Sequence, residues 1–212
     1  MKEFTKKSGI WGERHTTGAL RPLCGGDFPK KTTLIAGALG AIGILLYSGR
    51  ALIWFEPVVH KRLINQYAGE YKLDPLWVMA LINVESKFAA SARSPRGALG
   101  LMQLLPSTAR EIAPEIGLAS FRQMDLKNPD INLHIGFHYL AKLQRQFPDD
   151  EIAVLAAYNA GPGITQQWRK GKPVLDLEDI AYPETRRFVQ QVEETYTFLK
   201  TMQRWKHLVG LG

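Results

Sequence analysis

The sequence predicts an all-α domain with at most one small hairpin, preceded by a single membrane-spanning helix. Three observations carry that expectation. An apolar run of helix-spanning length, with a single charge near its end, sits near the front. Behind it, apolar residues recur at spacings of three and four, and the recurrences open on helix-start signals: a proline, a capping side chain, or both. No long alternation of apolar and polar residues appears, so a sheet has little to form from. The 212 residues, 45% hydrophobic and 22% charged, suit one globular domain with a short extra segment and exclude wholesale disorder.

From Leu34 to Phe55 the chain reads LIAGALGAIGILLYSGRALIWF, with Arg50 its one charge. About 20 apolar residues cross a bilayer as a helix, and Arg50 and Trp54 suit an interface. Lys2, Lys6, Lys7, Arg14, Arg21, Lys30 and Lys31 all precede the run. Positive charge stays in the cytoplasm, so the expected arrangement is a basic cytoplasmic tail (1–33), a spanning helix (34–55) and an extracytoplasmic domain (56–212). A cleaved signal peptide is the alternative, though the basic lead is long for one. The net charge of +7 is concentrated in residues 1–55, where eight Lys/Arg face three Asp/Glu. The remainder is nearly balanced, so no basic stripe predicts a nucleic-acid partner. Cys24 is the single cysteine, which excludes an internal disulfide.

Within the domain, Asp74-Pro75 starts a helix whose Val78, Leu81, Ile82, Glu85 and Phe88 share one face. The 91–103 stretch is the place for a small hairpin. Pro106 opens STAREIA, and Asn128-Pro129 opens INLHIGFHYLAKLQRQF. Asp149-Asp150 starts EIAVLAAYNA, which Gly161-Pro162-Gly163 ends. Pro183 opens the last helix, with Phe188, Val192, Tyr196, Leu199 and Met202 as its apolar stripe.

Glu85 stands out because it is a carboxylate on an apolar helix face. Hydrocarbon surroundings favour the neutral form, and a neutral carboxylic acid can donate a proton near pH 7. The bland alternative is a helix-end glutamate bent towards solvent. Gly97-Ala98-Leu99-Gly100-Leu101-Met102-Gln103 and Ala157-Tyr158-Asn159-Ala160-Gly161 are each weak signals alone, since such strings commonly serve as turns and helix ends.

Together they resemble a known family. ESKFAASARSPRGALGLMQLLPSTA, then AAYNAGPG, then YPETRRFVQ, in that order and spacing, are similar to the catalytic domain of family-1 lytic transglycosylases, relatives of goose-type lysozyme. The resemblance spans roughly Val58 to Arg204. It implies a lysozyme-like, mainly helical fold acting on the glycan strands of peptidoglycan. Glu85 would be the single acid/base. Ser94, Met102, Gln103, Tyr158, Asn159 and Glu184 match positions that bind or line the substrate, and Tyr182 is a looser match. Arg96 departs from the small residue common before GAxGLMQ.

No Asp or Glu lies between Glu85 and Glu111, so the usual glycosidase pair of carboxylates has no obvious second member. The expected reaction is therefore substrate-assisted and consumes no water: Glu85 protonates the leaving GlcNAc oxygen, then deprotonates the C6 hydroxyl to give 1,6-anhydroMurNAc. A lysozyme-type hydrolase on the same fold and a non-catalytic wall-binding module are the rivals. His60, His134, His138 and His207 form no zinc-site pattern. With no G-x-G-x-x-G or phosphate loop, no metal or other cofactor is expected. Beyond peptidoglycan and the membrane, a cell-envelope machinery partner stays open and the sequence does not identify one.

Overall fold

The computed structural model describes residues 57–208; the expected tail and spanning helix at 1–55 lie outside them. The described residues form seven α-helices: α1 (Pro57–Tyr71), α2 (Pro75–Ser86), α3 (Pro106–Ile112), α4 (Pro129–Gln146), α5 (Glu151–Ala160), α6 (Pro162–Arg169) and α7 (Pro183–Leu208). Short 3₁₀ turns at Ala113–Ile116, Gln123–Lys127 and Leu177–Asp179 join them. Among the described residues no helix is long and apolar enough to cross a membrane.

Local chemistry explains the helix starts. Asp74 accepts a hydrogen bond from the Leu76 amide at 2.7 Å, Asn128 from the Asp130 amide at 2.9 Å, and Asp150 from the Ala153 amide at 3.0 Å. Each satisfies an amide that lacks an intrahelical partner, and prolines 75 and 129 supply a fixed φ in the first turn. α2 buries Trp77 to Asn83 and Ser86, and α5 buries Ala153 to Ala157. These two apolar helices reach the core directly: α2 packs on α1 and α7, and α5 on α4, α6 and α7. The stripe on α7 continues the core through Phe188, Val189 and Val192, with Tyr196 and Leu199 partly covered. Met202 lies outside that cluster.

Three expectations need correction. The hairpin at 91–103 is not a pair of strands. Two isolated bridges, Arg93 with Leu99 and Leu99 with Leu104, are all the pairing it makes. Phe88 is buried, but not by helical periodicity. The helix ends at Ser86, and Lys87 and Phe88 both take left-handed φ (52° and 63°), which swings the ring back inward. Gly161-Pro162 ends α5 and at once begins α6. Gly161, at φ 94°, caps both helices, and Pro162 is a first-turn residue rather than only a breaker.

Candidate active site

Glu85 occupies the penultimate position of α2. Its residue is half-buried, and removal of its carboxyl from water raises the pKa from the usual 4.5 to about 8. Among the described residues it has no ion-pair partner. The carboxyl is therefore protonated at neutral pH, and it becomes a poorly solvated base once it gives the proton up.

The next residue holds that helix end in place. Ser86 is buried, and its hydroxyl reaches the Leu101 carbonyl at 2.7 Å and the Ile82 carbonyl at 3.2 Å. This ties α2 to the glycine-rich loop at 97–104. Gly100 (φ 79°) lets the loop turn where a Cβ would collide with the Asn132 amide and the Leu126 carbonyl. Asn132, fully buried on α4, holds the loop at two points and ties it to the 3₁₀ turn at Gln123–Lys127 through a third. Its Oδ1 accepts from the Met102 amide at 2.9 Å, and its Nδ2 donates to Leu99 and Leu126 carbonyls at 2.9 and 3.0 Å. A buried amide with both ends occupied is a rigid clamp.

Tyr158, near the end of α5, donates its hydroxyl to the Met102 carbonyl at 2.6 Å. Burial, then the nearby Glu85 carboxylate and Tyr139, push its pKa well above the usual value, so it stays a neutral donor. Tyr139 of α4 lies 5.6 Å away ring to ring. Burial and Glu111 raise its pKa to about 12. Asn159 accepts from the Thr185 hydroxyl at 2.7 Å, which joins the end of α5 to the start of α7. Glu184, next to Thr185, pairs with Arg96 at 2.7 Å.

The residues expected from sequence thus divide. Glu85, Tyr158 and the Met102 backbone converge. The Met102 side chain itself is fully buried against Gly136, whose missing Cβ leaves it room. It is therefore a packing group, and its carbonyl is the part engaged at the site. Gln103, in a left-handed conformation (φ 45°), folds its side chain onto the Gly100 carbonyl at 2.8 Å. Ser94 staples its own turn: its Oγ accepts from the Ala98 amide at 3.0 Å. Tyr182 is half exposed and stands edge-on to Trp168 at 5.0 Å. No interaction among those described ties it to Glu85. Asn132, Tyr139, Thr185 and the role of Ser86 were missed. Asn132 had a signal, an amide sharing a helical face with Ile135, Tyr139 and Leu143. Two of the histidines lie elsewhere: His134 stacks on Tyr67 at 4.9 Å, and His138 bonds Glu115 at 2.9 Å.

This chain is similar to several lytic transglycosylases. It is 32% identical over 142 residues to the soluble lytic murein transglycosylase of Escherichia coli, covering 64% of this chain and 22% of that protein. It is 31% identical over 149 residues to the membrane-bound lytic murein transglycosylase C of Histophilus somni, covering 66% and 39%. Among solved structures, an inactive Glu-to-Gln mutant of lytic transglycosylase Slt from Pseudomonas aeruginosa superposes with a TM-score of 0.63 at 32% identity, over 74% of this chain and 25% of that one. The 70 kDa soluble lytic transglycosylase of Escherichia coli gives 0.62 at 30%, over 70% and 26%. The chain spans less than half the length of each of these relatives. A family model described as the transglycosylase SLT domain matches residues 62–179, more than half of the sequence, and the chain belongs to that family.

Proposed function

We propose that this protein is a peptidoglycan lytic transglycosylase that cleaves the MurNAc-β-1,4-GlcNAc bond without water, with Glu85 as its only acid/base. The observation that carries the reading is the Glu85 carboxyl, desolvated and without an ion pair among the described residues. It can donate a proton at neutral pH and then needs a nearby hydroxyl to take one back.

Glu85 protonates the departing GlcNAc oxygen as the C1–O bond breaks, and the N-acetyl group of MurNAc supports the developing positive charge. The Glu85 carboxylate then removes the C6 hydroxyl proton while O6 bonds to C1. The proton account closes, and the product is a 1,6-anhydro ring. Placing O6 on the same sugar as C1 replaces a bound water by intramolecular proximity. Tyr158 and the Met102 carbonyl form the polar wall beside Glu85. In this reading Gln103, Asn159, Glu184 and, more peripherally, Tyr182 bind glycan, and Ser94 shapes the loop that carries Gln103. The same reading makes 34–55 a membrane anchor that leaves the domain outside the cytoplasmic membrane. Support comes from the basic lead and from a relative named membrane-bound. Retention of the full chain in membranes through a carbonate wash checks the anchor, and its release removes it.

Digestion of purified peptidoglycan in ¹⁸O-water tests the chemistry. The expected products end in 1,6-anhydroMurNAc and carry no solvent oxygen. Reducing MurNAc ends that hold ¹⁸O in the majority of products would instead identify a hydrolase.

A further inference from the structure

The geometry points to Arg96 as a positioning residue for Glu184, holding that carboxylate ready for the glycan; the inference rests on the function proposed above. Arg96 stands where the family commonly has a small residue, which could reach no partner. Instead it closes a circuit of side-chain links. Tyr158 joins α5 to the loop at Met102, Thr185 joins α7 to α5 at Asn159, and Arg96 joins the loop back to Glu184 on α7. The first two links are partly buried. The third is exposed, with 71% of the Arg96 and 64% of the Glu184 side chain open to solvent.

Arg96 is well placed for this role because its backbone is tightly held. The Gly97 amide donates to the Ser94 carbonyl at 2.9 Å, the Ser94 amide to the Ala98 carbonyl at 3.0 Å, and the Ala98 amide to the Ser94 hydroxyl at 3.0 Å. Pro95 and Arg96 form the tip of that braced turn. Glu184 has no such brace. It lies in the first turn of α7, exposed, with a long side chain that loses rotamer freedom whenever it binds. The recorded contact joins one guanidinium nitrogen to Oε2 alone. A carboxylate has about four acceptor positions, so Oε1 stays available to sugar hydroxyl or amide donors. Arg96 therefore orders the glutamate without blocking it. An exposed pair of this kind is weak, worth a factor of about two to five in an equilibrium, and salt weakens it further.

Initial rates of the full chain on solubilised glycan strands of peptidoglycan provide the test. Arg96→Ala is expected to raise KM about two- to fivefold with kcat held within about twofold, and Arg96→Lys to recover part of the loss. Glu184→Ala raises KM at least as far, and adding Arg96→Ala in that background changes nothing more. High salt raises the wild-type KM towards that of Arg96→Ala and leaves the variant nearly unmoved. An unchanged or lower KM in Arg96→Ala, or full additivity in the double variant, overturns the inference. Both outcomes presuppose a wild type that releases product. A wild type that releases none brings down the proposed function itself, so the two failures are distinct.

Discussion

Two ends of the same helices treat a carboxylate in opposite ways. Asp150, at the start of α5, accepts from the Ala153 and Leu175 amides at 3.0 and 2.9 Å and lies 3.5 Å from Arg169 Nε. Asp74, at the start of α2, accepts from the Leu76 amide and from the Tyr196 hydroxyl at 2.6 Å. Asp74 and Asp150, with Trp77, Phe147, Asp149 and Glu151, line a small cavity. Glu85 and Tyr158, at the far ends of the same two helices, border no comparable set of donors to the carboxylate among the described residues. A carboxylate surrounded by donors, as exposed Asp74 and buried Asp150 are, is spent on structure. One left without them is destabilised as an anion, and that stored cost is what makes it a proton donor.

The largest test of this contrast exchanges charge for shape at the unpartnered end. Glu85→Gln keeps the volume and removes proton transfer. Because one residue serves both proton steps, turnover is expected to fall by more than about 10³-fold, beyond the middle of the range typical of general acid catalysis. The melting temperature at pH 7 should not fall, since no ion pair is lost. Retention of more than about a tenth of wild-type turnover would falsify the assignment.

At the partnered end the consequence is reversed. Asp150→Ala strands two amides and leaves Arg169 without its carboxylate. Breaking a buried charged contact of that kind costs about 3 kcal/mol, or about 6–12 °C in Tm for a domain of this size. Below the transition, kcat should match the wild type. A large kcat defect in well-folded protein would show that the two ends are not separable.

The features legible in the sequence are those fixed within a few residues. Asp74-Pro75, Asn128-Pro129, Asp150 and Pro183 announce their helices because a cap and a first-turn proline act locally. Glu85 was legible as an anomaly on an apolar face, yet its isolation was not, since that depends on every chain segment around it. Ser94 and Gln103 matched a site pattern, but both satisfy their own loop, and Met102 matched it while serving mainly as packing. Long-range pairings leave no periodic trace: Arg96 meets Glu184 across 88 positions and Ser86 meets Leu101 across 15. The second helix after Gly161 was missed because a glycine-proline pair reads equally as a stop and as a start.

A smaller effect separates support of the site from its chemistry. Tyr158→Phe removes the hydroxyl that donates to the Met102 carbonyl and leaves that carbonyl unpaired. The expected loss is about tenfold in kcat/KM, roughly one hydrogen bond's worth. The alkaline limb of the rate profile should stay with Glu85 and not move by more than a few tenths of a pH unit. A profile displaced by a full unit would instead give Tyr158 a direct share of the proton transfer.

The smallest expected effect is thermodynamic and needs no substrate. In the unfolded chain Glu85 titrates near its usual 4.5, whereas in the folded chain burial holds it near 8. Between those values the folded state keeps a proton that the unfolded state has released. Stability is therefore complete below about pH 4.5, declines as pH rises through the window, and reaches its floor above about pH 8. Partial exposure of the residue moderates the loss, so a few degrees in Tm is the scale between pH 5 and pH 8. Other titrating groups contribute equally to wild type and Glu85→Gln, and the difference between the two melting curves isolates this one carboxyl. That difference should be near zero at pH 5 and should grow in favour of the variant towards pH 8. Parallel curves across the range would mean that Glu85 is solvated like any surface glutamate, and the contrast between the two helix ends would collapse.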